Sequence, residues 1–105
     1  MSALIYAPFP DRKSARTVAR QLLDEKLIAC ANLLGEVEAL YEWEGERGEG
    51  REIGVLFKTD AALLVRAVAR IEALHPYETP AVLGWKCDAP GHATAAWLGG
   101  LGPID

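Results

Sequence analysis

Cysteine, histidine and methionine are scarce in this chain: two, two and one of 105 residues. Cys30 and Cys87 form no CxxC, and His75 and His92 form no HxxxH. A disulfide framework and the compact zinc signatures are therefore excluded, and a reducing, cytoplasmic location is expected. A basic excess is missing too. The net charge is −4, and no basic patch with interleaved aromatics speaks for nucleic acid. No apolar run approaches the ~20 residues that span a bilayer. Met1 to Lys13 lacks the basic start and long apolar stretch of a signal peptide. There is no nucleophile elbow, paired-carboxylate site or phosphate loop. Where an anion-cradling glycine loop would follow a first strand stands Pro8-Phe9-Pro10-Asp11.

What is present is a well-patterned single domain over residues 1–105, half of it hydrophobic. Ala3 to Ala7 is an apolar run ended by prolines and predicts a buried strand. Asp11 is placed to cap a helix whose apolar positions are Ala15, Val18, Ala19, Leu22 and Leu23. Ala29 to Trp43 predicts a long strand, alternating from Glu36 onward, with Gly35 marking a bulge or bend. Gly45 to Gly50 reads as a glycine-rich turn and Glu52 to Thr59 as the return strand. Asp60 then caps a second helix with the stripe Leu64, Ala67, Val68, Ile71 and Leu74, ended at Pro76. Ala81 to Lys86 predicts a last strand. His92 to Leu98 predicts a short helix anchored by Trp97, and Gly99 to Pro103 a frayed tail. The order β-α-β-β-α-β specifies an α+β, ferredoxin-like sandwich with a long hairpin between the second and third strands.

That hairpin is too long for one copy. At ~3.3 Å per residue, Ala29 to Trp43 spans roughly 45–50 Å, against about 35 Å for a compact domain of this size. An overhanging hairpin exposes edges and apolar side chains that are normally paired or covered. A cyclic oligomer in which hairpins serve neighbouring copies is expected, the rival being a hairpin folded back in a monomer. Charge is also uneven. Residues 36–52 carry seven acids, and residues 12–26 carry five bases.

The richest chemical stretch is His75-Pro76-Tyr77-Glu78-Thr79-Pro80. Two prolines stiffen a loop holding an imidazole, a phenol, a carboxylate and a hydroxyl; the plainer reading is a helix stop. Cys30, among alanines, reads as a buried thiol or as a metal partner of His75, the pair suiting Cu or Zn. Lys58 reads as a snorkelling strand-end lysine or as an anion contact pairing with Glu78. Cys87 and His92 read as incidental surface residues.

Four stretches in order resemble the CutA divalent-cation tolerance family. They are Leu27-Ile28-Ala29-Cys30-Ala31-Asn32, Tyr41-Glu42-Trp43-Glu44-Gly45, Lys58-Thr59 and the hexapeptide at His75. The resemblance covers nearly the whole chain. It implies a ferredoxin-like homotrimer that is a binding protein and not an enzyme, with no organic cofactor, and a role in tolerance of copper or another divalent metal ion. It also implies metal contact through Cys30 and His75, in an inter-subunit pocket completed by Trp43, Lys58, Tyr77 and Glu78. The family fold is similar to that of nitrogen-regulatory signalling trimers, so a small anionic or zwitterionic ligand in the inter-subunit clefts is the alternative partner. No membrane or nucleic-acid partner is implied.

Overall fold

A computed structural model describes residues 1–101. Gly102 and Pro103, part of the expected frayed tail, lie outside the described residues. The elements run β1 (Ser2–Phe9), α1 (Arg12–Asp24), β2 (Cys30–Trp43), β3 (Glu46–Asp60), a 3-10 turn (Ala61–Leu63), α2 (Leu64–Leu74), β4 (Leu83–Lys86) and α3 (His92–Gly99). The four strands form one sheet in the order β2-β3-β1-β4, all pairs antiparallel. This is the expected ferredoxin-like sandwich.

The Asp11 cap forms on α1, whereas Asp60 caps the 3-10 turn that leads into α2, which has no side-chain cap of its own. The Asp11 carboxylate accepts from the Ser14 N–H at 2.7 Å, and that of Asp60 accepts from the Ala62 N–H at 2.9 Å. Each satisfies a first-turn donor that the helix itself leaves open. Alternation along β1 and β3 then sends Ile5, Ala7, Phe9, Val55 and Phe57 to one face, where α1 and α2 bury them with Val18, Leu22 and Ile71. The opposite face carries Leu4, Tyr6, Leu56 and Lys58, with Leu83 and Trp85 from β4 beside them.

Four details differ from expectation. The hairpin turn is Glu44-Gly45, with φ of +52° and +80°, the left-handed pair a two-residue turn requires. Gly48 and Gly50 are therefore ladder residues opposite Tyr41 and Ala39, and the hairpin is longer than expected. The last strand is only Leu83–Lys86. The C-terminal helix is anchored by Leu98, 1% exposed, while Trp97 is 51% exposed. Its end is held rather than frayed, since the N–H groups of Gly100 and Leu101 donate to Trp97 and Leu98 carbonyls.

Gly35 marks a true bulge. The register slips between Leu33 and Gly35, where φ is +97°. Because side chains alternate, one extra residue exchanges the faces of everything after it. Ala31 and Leu33 pair with Phe57 and Val55 on the helix-covered face. Beyond the bulge, Val37, Ala39, Tyr41 and Trp43 belong to the uncovered face. β1 support ends at the pair Phe9↔Ile53, so β2 and β3 continue alone as an arm. The arm projects rather than folding back: the molecule measures 47 × 26 × 23 Å. No helix among the described residues is long and apolar enough to cross a membrane.

Candidate functional site

The end of α2 is built as a polar knot. Pro76 forces the residue before it out of helical geometry, and His75 is accordingly extended (φ −66°, ψ 139°) as the C-cap. Its ring turns inward, 7% exposed, and stacks on Phe9 with centroids 4.3 Å apart. Nε2 lies 2.7 Å from the Pro8 carbonyl oxygen, and Nδ1 accepts from the Tyr77 N–H at 3.1 Å. A carbonyl can only accept, so Nε2 carries the proton and the ring is the neutral tautomer. Burial holds this imidazole below its ordinary pKa, opposed by the Pro8 contact and by nearby Glu52.

Tyr77 completes the knot. Its ring lies 4.9 Å from that of His75, and its hydroxyl donates to Glu52 Oε2 at 2.8 Å. Burial first, and then the carboxylate it bonds, push the phenol up to about 12. Both favour the neutral phenol, which must keep its proton to donate. Glu52 and the Pro8 carbonyl were not read from the sequence. Glu52 lies 25 residues from Tyr77 and nothing in its local pattern marks it.

The other expected site residues lie elsewhere. Cys30 opens β2, half-buried, with its thiol donating to Asn32 Oδ1 at 3.8 Å. It pairs with Lys58, which pairs in turn with Leu4. That places Cys30 and Lys58 on the uncovered face, four registers from Pro8, or ~13 Å along the strand. His75 packs instead on Phe9, a residue of the helix-covered face. One chain therefore does not bring Cys30 and His75 together, and both His75 nitrogens are already engaged. Among the described residues no three His, Cys, Asp or Glu side chains gather closely enough to hold a metal ion. The donors described within a single chain do not fit a metal centre.

Glu78 is exposed and makes no ion pair with Lys58 among the described residues. Trp43 stands at the arm tip, 58% exposed. Thirteen residues of strand separate it from Cys30, roughly 40 Å. One chain thus groups His75 with Tyr77 and Cys30 with Lys58, and leaves Trp43 at the far end.

Residues 3–100 match the protein family described as CutA1 divalent ion tolerance protein. The chain is 41% identical over 95 residues to the divalent-cation tolerance protein CutA of Thermococcus kodakarensis, covering 90% of each. It superposes on the crystal structure of CutA1 from Pyrococcus horikoshii with a TM-score of 0.87 and 38% identity, over 97% of this chain and 99% of that one. The periplasmic divalent cation tolerance protein CutA from Archaeoglobus fulgidus gives 0.88 at 25% identity, over 96% and 98%. The fold, the four sequence stretches and these likenesses agree, and the chain belongs to the CutA1 divalent ion tolerance family.

Proposed function

We propose that the chain serves divalent-cation tolerance as a homotrimer, in the cytoplasm, with copper contacted at seams between copies. The supporting observation is the uncovered face of the sheet. It runs from Leu83 and Trp85 of β4 across Tyr6 and Leu56 to Val37, Tyr41 and Trp43 of the arm. Leu83, Trp85, Tyr41 and Trp43 are 64, 45, 55 and 58% exposed. A continuous apolar ribbon of this kind is a self-association surface. A neighbour's arm laid along it would carry Trp43 to the face that holds Cys30 and Lys58.

Of the two expected metal contacts, Cys30 suits this arrangement, being a soft donor on that face. His75 enters the reading only as the ring that holds Tyr77 in place. Both cysteines are free thiols, which fits a reducing compartment. Sedimentation at micromolar protein tests the assembly: a single-chain mass of 11.4 kDa would refute it. Calorimetric titration with Cu(II) and Zn(II) tests the metal. Heat that persists unchanged in Cys30→Ser removes Cys30 from the site, and no heat in the native protein removes the metal role.

A second reading rests on Lys58. Partly buried beside Cys30 and without an ion pair among the described residues, it is a cation held near an apolar face. That suits a small anionic or zwitterionic ligand in the cleft between copies. A metabolite-induced rise in melting temperature that survives a chelator and disappears in Lys58→Gln would favour this reading.

A further inference from the structure

The point at which the arm leaves the body has its own construction. The last β3 residue supported by β1 is Ile53, opposite Phe9, and the next outward is Glu52. From Glu52 outward β2 and β3 hold each other alone, beginning with the pair Val37↔Glu52. Just inside lies the bulge, where Gly35 faces Gly54, so both strands are glycine at the joint. A two-stranded ribbon joined through glycines is a soft place to bend. Glu52, the first residue past the joint, is the one that the Tyr77 hydroxyl holds at 2.8 Å. Tyr77 is itself tied to the body, by its N–H on His75 Nδ1 and by the His75 ring between it and Phe9.

We propose that Tyr77 is a positioning residue whose bond to Glu52 sets the angle at which the arm leaves the sheet, and so where Trp43 is delivered on a second copy of the chain. The consequence for delivery rests on the homotrimer reading; the angle itself does not. From Glu52 to the tip at Glu46 is about 20 Å of strand, so a change of about 10° at the joint moves the tip by ~3–4 Å. A shift of that size separates a seated aromatic anchor from an unseated one. A ligand that takes the Tyr77 hydroxyl or the Glu52 carboxylate for itself would release the arm, which makes the hexapeptide loop a control point for the seam.

The test is a distance distribution between spin labels at Arg16→Cys on α1 and Glu46→Cys at the tip, in a Cys30→Ser/Cys87→Ser background. Labelled chains are diluted in unlabelled ones, so that each distance is read within one chain. Tyr77→Phe and Glu52→Ala are each expected to shift or broaden the distribution by several Å. Glu52→Gln keeps an accepting oxygen and is expected to preserve it. The double variant Tyr77→Phe/Glu52→Ala is expected to do no more than either single one, the signature of one shared bond. A merely structural Tyr77 would lower the unfolding midpoint and leave the distribution alone. Distributions in both single variants that overlay the native one, or effects that add in the double, overturn the proposal. If sedimentation finds a monomer, the trimer reading falls while this distance measurement still decides the brace.

Discussion

The body and the arm share the β2–β3 ladder but are held in opposite ways. In the body, Ile5, Phe9, Val55 and Phe57 have no exposure at all, and two helices cover them. In the arm nothing is buried: from Glu36 through Glu52 every residue is exposed or half-buried. Its ladder is fully paired, yet hydrogen bonds alone leave a two-stranded ribbon marginal in water. The body draws stability from apolar area removed from solvent within one chain. The arm has apolar side chains but no cover in its own chain, so its stability has to come from contact with another surface.

The sharpest way to break this comparison is to damage one region and watch the other. Phe57→Ala empties the body core beneath Phe9, where the two rings meet edge to face at 6.3 Å. Such a truncation costs about 3–5 kcal/mol, a large part of the roughly 5–15 kcal/mol that holds a domain together. Denaturant unfolding of this variant is expected to show that loss, and assembly is expected to fail with it. An intact trimer after a full-size loss of body stability would show that the arm does not depend on the body.

The converse change is the paired substitution Tyr41→Glu/Trp43→Glu on the arm. It places two charges on the apolar ribbon, opposite Gly48 and Glu46, and leaves the backbone ladder as it is. The body core contains no residue beyond the bulge on β2, so it is expected to stay folded, with circular dichroism close to native. Sedimentation is expected to report single chains. A trimer surviving this substitution would show that the apolar ribbon is not the contact surface.

These experiments also mark what the sequence made legible. The helices were legible because their stripes, caps and proline stops act over a few residues. The long second strand, the bulge at Gly35 and the overhang were legible from alternation and length. The turn was misplaced because glycine is a poor strand former, and Gly48 and Gly50 read as loop when they are ladder residues opposite Tyr41 and Ala39. Trp97 was chosen as the anchor of α3 for its size, whereas helix geometry buries its neighbour Leu98. At the site, the hexapeptide stood out by composition. Its real partners, Phe9, the Pro8 carbonyl and Glu52, are brought to it by tertiary folding, 25 to 67 residues away in the chain, where no local pattern reaches. The Cys30–His75 pairing was drawn from residue types and from the family resemblance, which set it in a pocket between copies and carry no information on which sheet face each residue occupies in one chain.

Smaller effects sharpen the contrast from the arm's side. The cross-strand ion pairs Arg51–Glu36 and Arg47–Glu42 decorate its charged face, with side chains at least 59% exposed. Water and salt screen such pairs, so Arg51→Gln is expected to change stability by less than about 0.5 kcal/mol. A larger loss, read from urea unfolding of the assembled protein, would mean that a neighbouring copy desolvates this face, and that the arm is covered on both sides.

The finest test concerns the one bond that ties body to arm. The Tyr77 phenol is raised from 10.0 to about 12 by burial and by its bond to Glu52. A raised folded-state value means that the folded protein holds this proton more tightly than the unfolded chain. The associated stability is complete below pH 10 and is lost as pH climbs through 12. The phenolate absorbance difference between the native protein and Tyr77→Phe is therefore expected to titrate near 12, and native stability to fall more steeply than that of the variant above pH 10. A difference curve centred near 10 would mean that the hydroxyl is solvated and free of Glu52. The arm would then leave the body unbraced, held beyond Ile53 by the β2–β3 ladder alone.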